Sequence, residues 1–165
     1  MRYAGGWLFD QVMAGWDVTV ITMDLGDPRP LHILGVRACD LDHVLSVPVF
    51  GACLQGIALR SDLYHADERV RRLVLTAVEA GSAEIRLWGD TWPEDFADRP
   101  APVRHRLSVA ARAFKAQALA VAARGADGGI DLAGEPPADT EEFRRGELNR
   151  PGPVPAGRHN VESLF

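Results

Sequence analysis

Lysine is nearly absent from this chain: 17 of its 18 basic residues are arginine, and Lys115 is the single exception. With an abundance of alanine, that imbalance reads as the composition of a GC-rich genome rather than as a binding requirement. Cysteine is scarce too. Cys39 and Cys53 have neither a CxxC spacing nor the density of a disulfide framework, so both read as reduced, partly buried small apolar groups. Long apolar runs are missing as well. The longest stretch without a charge, residues 44–59, is 16 residues long and contains Pro48, Gly51 and Gly56, whereas a membrane span takes about 20 apolar residues. No span is expected. The opening residues lack the basic start, apolar segment and small-residue cleavage site of a secretory signal, so a cytoplasmic location is the expectation.

Signature motifs are missing as well. There is no GxGxxG and no GxxxxGK[ST], and no strand precedes Gly5 and Gly6 to feed a phosphate-binding turn. A self-contained dinucleotide or NTPase site is therefore not expected. The GxSxG of a nucleophile elbow is absent too. Histidine and carboxylates cluster only at residues 40–43 and 62–67, each able to offer two metal ligands where a transition-metal site takes three or four. Asp67, and Asp40 or Asp42, read instead as caps of helices or turns. No catalytic residue, metal ligand set or cofactor is assigned.

What is present divides at residue 124. The chain has 165 residues, 47% of them hydrophobic, the composition of one globular domain. Residues 1–124 carry 15 acidic and 14 basic groups, and residues 125–165 carry 8 and 4, with 12 glycines and prolines. The expectation is an α/β domain over 1–124 and an acidic, flexible tail over 125–165.

Within the domain, residues 6–14 suit a short helix ended by Gly15, and residues 17–23, β-branched and apolar on both faces, suit a central strand. Residues 24–30 read as a loop, and 31–35 as a short strand or one helical turn. Residues 41–49 read as a strand, and 50–58 as a buried helix. Residues 67–80 carry Val70, Leu73, Val74, Ala77 and Val78 at helical spacing, and residues 84–88 alternate as a strand. A long helix is read over 103–123, with a strand over 118–122 as the other parse. Helices alternating with strands imply a single three-layer domain with a small, mostly parallel sheet flanked by helices.

Three places are candidates for function. Asp24, Asp27 and Arg29 leave the end of the expected central strand, where open α/β sheets place ligands. Carboxylates there suit ribose hydroxyls or Mg²⁺ and the arginine suits a phosphate, but the same residues also suit ordinary turn chemistry. Trp88 and Asp90 follow the second strand, where Trp88 and Trp92 would stack a ring or close the core. Residues 99–124 hold six basic residues and no acidic one. On a helix, Arg104, Arg112 and Lys115 would share one side, facing an acidic partner, nucleic acid or only solvent. The acidic residues after 124 would screen them. The nearly neutral domain gives no electrostatic reason to expect nucleic acid. Val161, Leu164 and Phe165 close the chain as a candidate docking peptide. Together these features favour a non-catalytic accessory or regulatory subunit that contacts a protein partner. The alternative is a nucleotide- or sugar-nucleotide-binding enzyme domain built on the Asp24 to Arg29 loop. Oligomeric state has no sequence signal.

Overall fold

The computed structural model describes residues 1–22, 26–46, 55–79, 84–96, 101–125 and 138–147. Helix α1 (Gly5–Met13) ends at Gly15, whose φ of +90° lets the Gly15 and Trp16 N–H groups reach back to Val12 and Gln11. That left-handed turn satisfies carbonyls that the last helical turn leaves open. Strand β1 (Thr19–Thr22) pairs in parallel with β2 (Arg37–Asp40) across the short helix α2 (Arg29–Ile33). Val18 and Val20 pack into one core and Ile21 into the other. Both faces of β1 are thus covered, although among the described residues its only partner strand is β2.

Helix α3 (Leu41–Ser46) occupies the place where a strand over 41–49 was expected. Asp40 is the reason, since its carboxylate accepts the Asp42 and His43 N–H groups at 2.8 and 3.2 Å and starts a helix. Strand β3 (Gly56–Arg60) likewise replaces the end of the helix expected over 50–58, while residues 50–54 of that expectation lie outside the described residues. Helix α4 (Ser61–Ala66) leads into α5 (Glu68–Glu79), whose first turn is capped by Asp67 through the Arg69 N–H at 2.9 Å. Strand β4 (Glu84–Trp88) has the bounds that its alternation predicts.

The helix expected over 103–123 is two elements: strand β5 (Ala101–Arg106) and helix α6 (Val109–Gly125). Ser108 sets the break by accepting the Ala111 N–H on its Oγ at 3.0 Å, a helix cap. Val103 and Leu107 fall at helical spacing from Ala110, Phe114 and Ala118, which is what extends the helix read from sequence back to 103, and residues 118–122 belong to α6. The last described strand, β6 (Thr140–Gly146), lies within the segment read as a flexible tail and so corrects the boundary at 124. Residues 126–137 and 148–165 of the expected tail lie outside the described residues.

The four-stranded sheet runs β3, β4, β6, β5, with β3 and β4 parallel and both contacts of β6 antiparallel. The fold is α/β, and its sheet is mixed rather than mostly parallel because a strand from beyond residue 124 is inserted at its centre. Register and pleat sort the side chains. Ile57, Leu59, Ile85 and Leu87 share the face that packs with Tyr64, Val70, Val74 and Phe96. The opposite face carries Arg86, Phe143, Glu141 and His105, and α1 and α6 lie over it.

Candidate functional site

Glu141 is the buried junction of three elements. From β6 its carboxylate accepts the Gly6 and Trp7 N–H groups at 3.0 and 2.7 Å, meeting donors that the first turn of α1 cannot satisfy internally. Lys115 of α6 donates to it at 2.7 Å, and the two side chains are 4% and 2% exposed. Two residues on, Phe143 lies between Trp7 and Trp88, with ring centres 5.3 and 6.0 Å away, and the Arg86 guanidinium sits 5.2 Å from the Trp7 ring centre. Trp88 thereby takes the core-closing part that was one of its two readings. Its indole Nε1, like that of Trp7, is buried without a hydrogen-bond partner among the described residues.

The three basic residues expected on one helix side do not form a basic surface. Arg104 is on β5 and pairs with Glu142 at 2.9 Å, Arg112 is on α6 and pairs with Asp139 at 2.6 Å, and Lys115 is buried against Glu141. Asp139, Glu141 and Glu142 answer them one for one, so the screening expected from the acidic segment takes the form of specific ion pairs. What α6 shows to solvent is mostly apolar, with Gln117 and Arg124 the exposed polar residues. Val109, Ala110, Ala113, Phe114 and Ala120 are exposed, with Val109 at 75% and Phe114 at 45%. Phe114 stacks on Phe9 of α1 at 4.6 Å, and Met13 and Trp16 at the end of α1 are 69% and 50% exposed.

The loop candidate resolves into local chemistry. Arg29 donates its Nε to both oxygens of Asp27 at 2.9 Å, and its backbone N–H bonds the same carboxylate at 3.0 Å. The Arg29 side chain and backbone hold the Asp27 carboxyl below the usual aspartate range. This pairing starts α2. Asp24 lies outside the described residues, as do Val161, Leu164 and Phe165 of the terminal peptide, and Cys53. Cys39 is a half-buried free thiol on β2.

Trp88 and Asp90 come together at a cleft of about 590 Å³ outside the carboxyl ends of β3 and β4. Strands β6 and β5 run on past Trp88 and wall it with Glu142, Arg144 and Arg104. Gly89 makes the turn possible. Its φ is +122°, and a Cβ there would lie 2.5 Å from Ser61 Oγ, which accepts a hydrogen bond from Thr91 Oγ1 at 3.2 Å. Arg60 at the rim is held by Asp62 at 2.7 Å. Arg144, Ser61 and Tyr3 were missed in the sequence. The alternation of Glu141 and Phe143 against Glu142 and Arg144 was the available signal for the first.

Two further constellations are structural. Tyr64 donates its hydroxyl to Asp95 at 2.8 Å, and Arg71 grips the same carboxylate through two hydrogen bonds of 3.0 Å. Burial and Asp95 push the Tyr64 hydroxyl up, while Arg71 holds Asp95 down. His105 Nε2 lies 2.8 Å from Asp10 Oδ2, which also accepts the Ser108 N–H at 3.2 Å. Aspartate, histidine and serine thus meet, but Ser108 Oγ caps α6 and both partners face Asp10 rather than each other. This contact pins α1 to the β5–α6 turn. Among the described residues, no group of three or more His, Cys, Asp or Glu side chains forms a metal site, and no helix is long and apolar enough to cross a membrane.

Comparison with models of protein families, with functionally described proteins and with solved structures finds no match for this chain.

Proposed function

We propose that this chain is a non-catalytic accessory or regulatory subunit that binds a partner protein through the outer face of α6. One observation carries this reading. Helix α6 buries Ala111, Lys115 and Ala118 against the chain's own core, yet on its other side Val109, Ala113 and Phe114, beside Gln117, are open to solvent. Clustered exposed apolar side chains mark interaction surfaces, and the side left open here adjoins α1 through the stack of Phe114 on Phe9. The pairing of Arg104, Arg112 and Lys115 with residues 139–142 moves the proposed contact from charge to apolar area. Covering Val109 and the exposed half of Phe114 contributes on the order of 1–2 kcal/mol each before the cost of association. The terminal peptide with Val161, Leu164 and Phe165 is the second element of the proposed contact.

The test compares three chains in capture from native lysate: the full chain, the full chain with Phe114→Glu, and a chain ending at Asn149. A single protein retained in stoichiometric amount by the full chain and lost with Phe114→Glu supports the reading, and its loss from the shortened chain adds the terminal peptide. Retention unchanged by Phe114→Glu refutes contact through α6. A concentration-dependent doubling of mass in light scattering, abolished by the same substitution, makes the occupant a second copy and also refutes the partner reading.

A further inference from the structure

The cleft beyond β3 and β4 uses neither α6 nor the terminal peptide, and its chemistry is that of a small-molecule site. It lies outside the carboxyl ends of two parallel strands, beside the point where the sheet changes from parallel to antiparallel pairing. Open α/β sheets bind ligands outside the carboxyl ends of their parallel strands, and about 590 Å³ is within the range of small-molecule pockets.

The charges along its walls differ in how they are satisfied. Arg60 is held by Asp62 and Arg104 by Glu142. The side chains of Arg144 and Asp90 have no ion pair or hydrogen bond with another described residue, although both line the cleft. Arg144 and Arg104 project from the same face of neighbouring strands, in register positions opposite Pro102 and Glu142. Arg144 has its guanidinium free to take a phosphate, and Arg104, which meets Glu142 through Nε at the surface, keeps further N–H donors that can add a second contact. Asp90, an acceptor across the cleft, suits hydroxyl donors.

We propose that this cleft binds a phosphorylated sugar, with the phosphate on Arg144 and Arg104 and the sugar hydroxyls on Asp90. The ligand is either a free sugar phosphate or the sugar-phosphate part of a nucleotide, and Tyr3, 56% exposed at the rim, is the surface on which a base would lie.

The experiment titrates the full chain with ribose 5-phosphate, AMP and inorganic phosphate by calorimetry at low salt. Both organic phosphates are expected to bind with a dissociation constant of about 1 mM or tighter, and Arg144→Ala to weaken both by about tenfold or more. Asp90→Asn is expected to weaken both while leaving inorganic phosphate unchanged. Stronger binding of AMP than of ribose 5-phosphate identifies the nucleotide source, and equal binding identifies the sugar phosphate. An unchanged thermal midpoint checks that each exposed-site variant is folded. The proposal is overturned if neither organic phosphate binds at about 10 mM, or if binding survives Arg144→Ala. Loss with Arg29→Ala alone also overturns it, because that result assigns the phosphate to the loop before α2.

Discussion

Lys115, the only lysine in the chain, donates to Glu141 Oε1 at 2.7 Å with both side chains buried, and so ties α6 to a strand that begins 25 residues further along. Glu141 also holds two N–H groups of α1, so its charge is shared among three elements. Removing one member of a buried pair leaves an uncompensated charge, which costs about 3–5 kcal/mol. Lys115→Ala is therefore expected to lower unfolding free energy by about that amount in urea titrations. Arg112→Ala, which breaks the half-exposed pair with Asp139, should change it by about 0–1 kcal/mol. Equal effects of the two substitutions would show that the buried pair is not the junction described.

Sequence pattern was a good guide wherever local signals sufficed and a poor one wherever a distant segment decided. Helix α5 and strand β4 follow directly from the Val70 to Val78 stripe, the Asp67 cap and the alternation around Ile85 and Leu87. Strand β6 did not, because the acidic, glycine- and proline-rich composition around it hides seven residues whose strand state depends on β4 and β5 flanking them. Placing that strand changes the site as well. Glu142 and Arg144 become a cleft wall, and the basic residues 104, 112 and 115 become ion pairs. Trp88 and Asp90 were identifiable because they follow a strong local strand. Arg144 was not, since only tertiary pairing brings it to them.

Gly89 tests whether the turn after β4 is built as tightly as its geometry implies. A side chain there meets two penalties, a φ of +122° that L residues rarely adopt and a Cβ placed 2.5 Å from Ser61 Oγ. Ser61 is buried and cannot swing away freely. Gly89→Ala is expected to lower stability by about 1–3 kcal/mol, whereas Gly15→Ala, with open space around its Cβ, carries the backbone term alone. Thermal denaturation of the two variants side by side checks this, and an equal loss would remove the contact with Ser61 from the account.

Acid should weaken this fold through carboxylates that the native state keeps ionised. Side-chain and backbone donation from Arg69 brings Asp67 down to about 2, and Arg71 lowers Asp95 against the opposing effect of burial. For Asp10, partial burial pushes upward, and bonds from Ser108 and His105 more than offset it. Each folded value is below its unfolded one, so each contribution is fully present above the ordinary aspartate range and lost as pH falls through the folded value. Denaturant midpoints should hold steady down to about pH 5 and decline toward about pH 2. Asp95→Asn should lower the plateau and flatten the decline, and a decline of undiminished steepness would exclude the Arg71 clamp as a contributor.

Two phenylalanines separate the protein's own core from the surface proposed to serve a partner. Phe143 is 2% exposed between two tryptophan rings, while Phe114 is 45% exposed and stacked on Phe9. Phe143→Ala opens a cavity under α1 and is expected to cost about 3–5 kcal/mol. Phe114→Ala forfeits mainly the ring stack and is expected to cost about 0.5–1.5 kcal/mol. Urea titration of both variants measures the difference. If Phe114→Ala proves as costly as Phe143→Ala, then Phe114 is already part of the folded core, the open side of α6 is closed by the chain itself, and the apolar contact proposed for a partner has no free surface to use.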